Sequence, residues 1–461
     1  MFRTKLNPDG TLNRHKARLV AQGFKQEFDI DYKETFSPVA KMPTIRIMLT
    51  IALNRHWPVL QLDVSNAFLH GHLQEEVYMH QPQGFIDENH PDYVCKLHKT
   101  IYGLKQAPRQ WFTTFTAFLQ TNGFIFSKLD PSLLIYDHGN IQLYILLYVD
   151  DILITGSHQN SISTLIRKLQ TAFSLKELGP ISFFLGIQVL HTKSGYFLSQ
   201  AQYAQDVLQA ANLLNCKPSQ TPIAMKPPTT VTSFLDADPI QYRRLAGCLQ
   251  YLTITRPDIA FATNMICQKM HQPSGQDFNA LKRLLRYIQG TQQFGLPITR
   301  GPLHLRSFSD SDWASNPLDR KSISGFCSFL GNSLVSWCVK KQLTVAKSST
   351  EAEYRSLASA TSDIIWLQRL LADFHITLTA PTSLSCDSSS ALALANNPVF
   401  HARTKHIEID YHFIRERILS KEIDVQHINS VDQPADILTK PLSLARFRLL
   451  RDKLTIQPPE S

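Results

Sequence analysis

Two adjacent carboxylates, Asp150 and Asp151, interrupt an apolar run in which residues 143–149 precede them, Ile152-Leu153-Ile154 follow and Gly156 closes the segment. A β-branched and aromatic run of this length, ended by glycine, reads as a pair of strands. Carboxylates are costly to bury unless a cation meets them. Neighbouring strand residues point to opposite faces, so both side chains reach one point only at the bend of a hairpin. The plainer alternative is a polar Asp-Asp turn with Tyr148 as a surface aromatic. A third carboxylate, Asp63, sits in Val59-Leu60-Gln61-Leu62-Asp63-Val64, which alternates like a half-buried strand. Three carboxylates on neighbouring strands can hold two Mg²⁺ ions, which take oxygen ligands and share their shell with phosphates. Two such ions about 3.5–4 Å apart can activate an attacking 3′-hydroxyl and stabilise a leaving pyrophosphate.

A second set of acids lies in the C-terminal third. Asp310 ends one expected strand, Asp387 ends another and Asp436 follows Pro434-Ala435. A long helix expected from about Ser349 to Asp373 offers Glu351 and Glu353. Each also fits the plainer Ser/Thr-x-x-Glu capping box. Helical geometry separates them. Glu353 heads a stripe through Leu357, Ala360, Ile364, Leu367 and Leu371 and is expected to face the core. Glu351 shares its face with Arg355 and Ser362 and is expected to face water. A core-facing Glu needs a reason, and a metal supplies one. Asp312 competes with Asp310 for the first position. His427 is a lone histidine near a strand end, read as structural and left outside the site.

These acids need a large scaffold. At 461 residues the chain can form two or three domains, and its 43% hydrophobic and 18% charged content is that of a globular protein. The net charge of +9 favours a polyanionic partner. The seven cysteines include no Cys-x-x-Cys pair and their number is odd, which suggests reduced thiols. The N-terminus is too polar for a signal peptide, and the longest apolar stretch is split by the Asp pair, so secretion and membrane insertion are not expected. Residues up to about 200 read as strand-rich, with helices at about 44–54 and 110–121. Pro218 to Pro239 reads as a linker. In the helix 276–289, Phe278, Leu281, Leu285 and Ile288 share one face. Lys282, Arg283 and Arg286 lie elsewhere on it, either as a solvated face or along duplex phosphates. From about 303 the pattern becomes α/β, with strands at about 303–308, 324–330 and 333–339.

Ordered motifs run through the whole chain. They are Lys16-Ala17-Arg18-Leu19-Val20-Ala21-Gln22-Gly23-Phe24, Glu34-Thr35-Phe36-Ser37-Pro38-Val39, Gln61-Leu62-Asp63-Val64-Ser65-Asn66-Ala67-Phe68-Leu69, Ile101-Tyr102-Gly103-Leu104-Lys105-Gln106-Ala107-Pro108-Arg109 and Tyr148-Val149-Asp150-Asp151. Four more follow: Ser309-Asp310-Ser311-Asp312-Trp313-Ala314, residues 347–354, residues 401–408 and residues 433–440. In order and spacing the set resembles the Pol polyprotein of copia-type retrotransposons. The resemblance implies an α+β multidomain fold, a right-hand polymerase followed by an α/β ribonuclease H-like domain. Its expected divisions are 1–200 for fingers and palm, 201–300 for linker and helical thumb or connection, and 301–461 for ribonuclease H.

The resemblance further implies that Asp63, Asp150 and Asp151 are the metal-binding triad of a reverse transcriptase. Asp310, Glu353, Asp387 and Asp436 resemble the four-carboxylate site of ribonuclease H, and Asp310 is preferred to Asp312 because the family's strand ends there. Two Mg²⁺ ions per site are expected, with Mn²⁺ as a substitute. Lys16 and Arg18 would contact the incoming deoxynucleoside triphosphate, Gln106 would line its pocket, Tyr148 would touch substrate and Phe68 would be the aromatic gate against a 2′-hydroxyl. Lys176 is a weaker candidate for protonating pyrophosphate, and residues 184–188 resemble a hairpin that grips the primer end. Expected partners are an RNA template, a DNA primer and the RNA–DNA hybrid. The expected setting is the cytoplasmic particles of the element, with the nucleus as an alternative. No protease, zinc-knuckle or integrase segment is seen, and the chain is expected to start inside the first fingers strand. The competing readings are a silent remnant that only binds nucleic acid and a ribonuclease H with a non-catalytic polymerase-like domain.

Overall fold

A computed structural model describes residues 1–460, apart from 7, 8, 10, 226–237 and 397–406. Its contacts divide the chain into two units. The first holds residues 1–41 and 57–181; the second holds 42–56 and 182–461. The intervening helix α1 (Met42–Asn54) therefore belongs to the second unit although it lies early in the sequence.

The first unit contains β1 (Phe2–Leu6), β2 (Leu12–Ala17), β3 (Val59–Val64), β4 (His72–His80), β5 (Val94–Lys99), β6 (Ile125–Phe126), β7 (Leu133–His138), β8 (Ile141–Tyr148), β9 (Asp151–Gly156) and β10 (Leu175–Pro180). Its helices are α2 (Ala107–Thr121) and α3 (Gln159–Ala172). A six-stranded antiparallel sheet runs β10-β3-β9-β8-β7-β6, and β1-β2 and β4-β5 form two-stranded ribbons. In α2, Trp111, Phe115 and Leu119 recur every four residues and are buried; in α3, Ile162, Leu165, Ile166 and Leu169 do the same job. Both stripes join one cluster with Leu62, Val64, Ile145, Leu147, Ile152 and Ile154 from the central strands. Each such side chain contributes roughly 1.5–3 kcal/mol on burial. That cluster fixes the register of β3 and β9, and so the height of the acids they carry.

The second unit contains β11 (Phe183–Phe184), β12 (Ile187–His191), β13 (Gly195–Ser199), β14 (Leu296–Thr299), β15 (Leu305–Asp312), β16 (Ile323–Leu330), β17 (Ser333–Lys341), β18 (Thr382–Cys386) and β19 (Ile423–His427). Its later helices are α4 (Ala201–Ala210), α5 (Pro239–Leu252), α6 (Ala260–Cys267), α7 (Gly275–Gln289), α8 (Ser349–Asp373), α9 (Ser389–Asn396), α10 (Glu408–Leu419) and α11 (Leu444–Lys453). One sheet has the order β11-β12-β13-β14, the other β17-β16-β15-β18-β19. In the second, β15 pairs antiparallel with β16 but parallel with β18, and β18 is parallel to β19. Parallel neighbours need crossovers; α8, which follows β17 in sequence, carries the chain back to place β18 beside β15 and packs on β15 and β16. Helix α1 is buried nearly all round and packs against β14 and β17. Its Arg46 guanidinium lies 3.8 Å over the Trp337 ring and donates to the carbonyls of Val335 at 2.9 Å and Ile254 at 2.6 Å.

Several expectations change here. β15 runs on through Asp312, so Asp310 lies inside the strand rather than at its end. Of the expected linker, residues 226–237 lie outside the described residues. The preceding stretch is tied to α7: Arg283 donates to Thr221 Oγ1 at 2.8 Å and Arg286 to the Lys217 carbonyl at 2.7 Å. Arg283 and Arg286, both weighed for duplex contact, thus have partners inside the unit. Among the described residues no helix is long and apolar enough to cross a membrane, and the seven cysteines are unpaired.

Candidate active sites

The first site is built on the β8–β9 hairpin. Tyr148 and Asp151 are register partners, leaving Val149 and Asp150 as the two-residue turn. Val149 has φ +58°, an outlier for a β-branched residue. Such strain persists only where the surroundings over-determine it. Here the Trp111 indole donates to the Val149 carbonyl at 2.7 Å, and the Val64 amide donates to the Asp150 carbonyl at 3.0 Å. Asp63 on β3 is the register partner of Asp151 on β9 and of Lys176 on β10. Asp63, distant in sequence, is thereby held near the adjacent Asp150 and Asp151 on adjoining strands and one turn.

Their oxygens are not drawn within 4.8 Å of one another as those of Asp310, Asp387 and Asp436 are, but the three still act on each other through charge. Partial burial, then Asp150 and Asp63, push Asp151 up to about 6. Burial and Asp63 raise Asp150 as well, while Arg18 and Lys16 pull it down. Asp63, Asp150, Lys16 and Arg18 line a cleft of about 570 Å³ together with Arg14 and Tyr102, among others; Asp151 is not among its lining residues. Its lining joins the cations Arg14, Lys16 and Arg18 with the acids Asp63 and Asp150.

The second site gathers acids from four elements. Asp310 comes from β15, Glu353 from the second turn of α8, Asp387 from just past β18, and Asp436 from a 3₁₀ turn at Pro434–Leu438. Asp310 is 1% exposed, Asp436 2% and Glu353 7%; Asp387 is half-buried. Carboxylate oxygens of Asp310, Asp387 and Asp436 lie within 4.8 Å of one another, as do ligand atoms of Glu353, Cys386 and Asp387. Parallel pairing of Phe308 with Ser385 sets Asp310 and Asp387 near each other. Gly325, the register partner of Asp310, lets the 3₁₀ turn approach; a Cβ there would lie 2.8 Å from Leu438 Cβ and from Thr439 Cγ2.

Burial and the neighbouring acids raise Glu353 far above the carboxylate range. Burial also raises Asp310, against the pull of Lys440. The acids are individually pinned. Ser311 donates its amide to Glu353 Oε1 at 3.2 Å, Ser430 its hydroxyl to Asp387 at 2.6 Å, and Thr439 its hydroxyl to Asp310. Lys440 Nζ lies 3.2 Å from Asp310 Oδ2 and 3.0 Å from Asp436 Oδ1, and Arg446 pairs with Asp436 Oδ2.

Residues 1–225 match the family described as reverse transcriptase (RNA-dependent DNA polymerase). Over 458 residues, 99% of this chain, the sequence is 47% identical to the retrovirus-related Pol polyprotein from transposon RE2 of Arabidopsis thaliana, covering 32% of that protein. It is 38% identical over 464 residues to the Pol polyprotein from transposon TNT 1-94 of Nicotiana tabacum, covering 98% of this chain and 35% of the relative. The chain belongs to the copia-type retrotransposon Pol polyproteins. It spans about a third of the length of these relatives. Among solved structures, the N-terminal RNase H domain of rv2228c from Mycobacterium tuberculosis, fused to maltose binding protein, aligns with 32% of this chain and 97% of that chain, at 12% identity and a TM-score of 0.22.

Within this Pol segment, the structure brings Lys16, Arg18, Asp63 and Asp150 to one cleft, with Asp151 beside them and Tyr148 half-buried opposite it in the ladder. Phe68, in the 3₁₀ turn Ala67–His70, is not among the cleft's lining residues; its ring lies edge-on to Tyr102 at 5.1 Å. Gln106 is fully buried, donates to the Asp31 carbonyl at 2.8 Å and accepts from Gln26 at 3.0 Å, and it is not among the cleft's lining residues. Glu351 is a correction. It is 3% exposed, because Arg355 folds back onto it at 2.6 Å and the Lys347 amide donates to it at 2.8 Å. Asp312 is half-buried and outside both acid clusters. His427 is exposed at the end of β19. Residues 184–188 form a two-residue hairpin with positive φ at Leu185 and Gly186, in the second unit. Residues 401–406 of one motif lie outside the described residues.

Sequence reading missed Tyr102, Arg14, Thr439, Lys440 and Arg446. Tyr102, Thr439 and Lys440 lie inside quoted motifs, which was the available signal; Arg18 sits 4.9 Å over the Tyr102 ring. Nothing local marks Arg446, ten residues beyond Asp436.

Proposed function

We propose that this chain is an RNA-directed DNA polymerase with ribonuclease H activity. It would extend a primer 3′-end with deoxynucleoside triphosphates and hydrolyse the RNA strand of the resulting hybrid. On this reading residues 1–200 act as fingers and palm, 201–300 as linker and thumb or connection, and 301–461 as the nuclease. The observation that carries the proposal is the register that sets Asp63 opposite Asp151, next to the strained, pinned Val149-Asp150 turn, with Arg14, Lys16 and Arg18 lining the same cleft as Asp63 and Asp150.

The donor sets fit a hard divalent cation. The first offers only carboxylate oxygens, two of them raised by burial and mutual repulsion, and such a set suits Mg²⁺ or Mn²⁺. Asp63, Asp150 and Asp151 would hold the ions, as would Asp310, Glu353, Asp387 and Asp436 in the second set. Bound there, the ions would lower the pKa of an attacking hydroxyl or water and offset charge on the leaving oxygen.

The remaining work falls to the chain's own side chains. Arg14, Lys16 and Arg18 supply positive charge to a triphosphate opposite the acids. Tyr102 offers a ring held in place by Arg18 on one side and Phe68 on another. Phe68 would govern sugar selection by excluded volume, either directly or by setting the position of Tyr102. The pinned hairpin keeps the acids fixed as the primer end arrives, which lowers the reorganisation needed for reaction.

Primer extension on a homopolymer template and cleavage of an RNA–DNA hybrid, each with Mg²⁺ or Mn²⁺, test the proposal. Activity in both supports it. Hybrid binding without either activity would favour the silent remnant, and cleavage without extension would favour a nuclease with a non-catalytic polymerase-like domain.

A further inference from the structure

We propose that the Lys440 ammonium is a resident counter-ion of the second acid site, holding the place of a divalent cation between Asp310 and Asp436 and competing with it. The inference rests on the ribonuclease H reading of that site. Lys440 Nζ is 3.3 Å from Asp310 Oδ1, 3.2 Å from Asp310 Oδ2 and 3.0 Å from Asp436 Oδ1. One ammonium thus bridges two carboxylates from separate elements, both almost fully buried.

Two buried like charges at this spacing repel strongly, and a fold that holds them together needs a cation in the ion-free state. Lys440 is suited to a temporary role. Its side chain is 31% exposed, so the flexible stem reaches in from the surface and can retreat along the same path. Its neighbours are arranged to keep the acids in place once it leaves. Thr439 donates to Asp310, and Arg446 holds the other oxygen of Asp436.

A divalent ion ligated by these two carboxylates sits about 2.0–2.1 Å from their oxygens. An ammonium in hydrogen-bond contact with the same oxygens would then face a dication at close range in a poorly screened site. The two cations therefore exclude each other. Loading the ion must expel Lys440 toward the rim, where it meets the phosphates of an approaching strand. The order follows from charge alone: without the ion, Lys440 stabilises the acids; with it, Lys440 is released to solvent or substrate.

The test is Mn²⁺ binding to the full chain by calorimetry, with Asp310→Asn defining the component due to this site. Lys440→Met should tighten that component about tenfold and lower the Tm measured in EDTA. Lys440→Arg, which keeps a cation in reach, should bind Mn²⁺ like the wild type. Independently of any variant, a ¹⁵N-lysine NMR titration of the wild type should show the Lys440 ammonium shielded from exchange without metal and lost at the Mg²⁺ binding midpoint. Asp310-dependent binding that Lys440→Met leaves unchanged or weakens would overturn the inference alone, as would a Lys440 signal indifferent to metal. Absence of Asp310-dependent binding in the wild type would overturn the nuclease reading and the inference with it.

Discussion

The two acid sites solve the same electrostatic problem in opposite ways. In the first, the acids sit on adjoining strands and a turn, partly open to water, with cations lining the same cleft as Asp63 and Asp150. Repulsion is left standing there, and burial with mutual charge pushes Asp151 up to about 6. In the second, the acids come from four elements and are mostly buried, and Lys440 and Arg446 pair with two of them, Asp310 and Asp436, at contact distance. Solvent moderates repulsion in an open site, whereas a buried one needs internal cations. Asp151→Asn and Asp436→Asn should therefore have opposite effects on the stability of the ion-free protein.

The largest effect is expected at Asp436. Asp436→Asn leaves Lys440 and Arg446 facing a neutral amide beside Asp310. Breaking a buried pair costs about 3–5 kcal/mol; because both cations are about a third exposed, a loss of ~2 kcal/mol is expected by denaturant unfolding in EDTA. A gain in stability would erase the contrast. Gly325→Ala comes next. The added methyl meets the turn carrying Asp436 and should cost about 1–3 kcal/mol. Hybrid cleavage should fall with it while primer extension persists, and unchanged cleavage would show that the close approach is dispensable.

Asp151→Asn should stabilise the ion-free protein by about 1 kcal/mol at pH 7.5, after allowance for solvent screening. The sign follows from linkage. The folded pKa, about 6, exceeds the unfolded value near 3.9, so the native state holds the extra proton and stability falls as pH rises through that window. The gain from Asn should therefore shrink from pH 6 to pH 4 and vanish below it. Unfolding curves in EDTA across pH 4–8 check this, and a pH-independent gain would contradict it. Smallest in stability but sharp in readout is Phe68→Val. It should admit ribonucleotides in competition with deoxynucleotides during primer extension, and unchanged sugar preference in a folded, active variant would remove Phe68 from substrate selection.

The sites were legible to different depths, for physical reasons. The β8–β9 hairpin could be read from sequence because an apolar run split by two carboxylates leaves few places for them. Helix α8 was legible to its ends because Ser348 caps it and its stripe is regular. Glu351 was misread because helical phase predicts a direction and not what lies there; Arg355 and the Lys347 amide cover it. The burial of Gln106 was not legible because a motif gives proximity in sequence, whereas Asp31 and Gln26 engage its amide in space. The membership of α1 in the second unit was invisible, since Arg46 meets partners more than two hundred positions away. Lys440 was quoted without a role because its meaning depends on Asp310, 130 residues earlier.

The central claim is that the chain holds two independent acid sites, one for each chemistry. The most direct measurement is primer extension and hybrid cleavage on the same preparations of Asp150→Asn and Asp310→Asn, each checked for folding by circular dichroism. The account predicts that Asp150→Asn abolishes extension and leaves cleavage, and that Asp310→Asn does the reverse. Loss of both activities from either single change, with the fold intact, would contradict it.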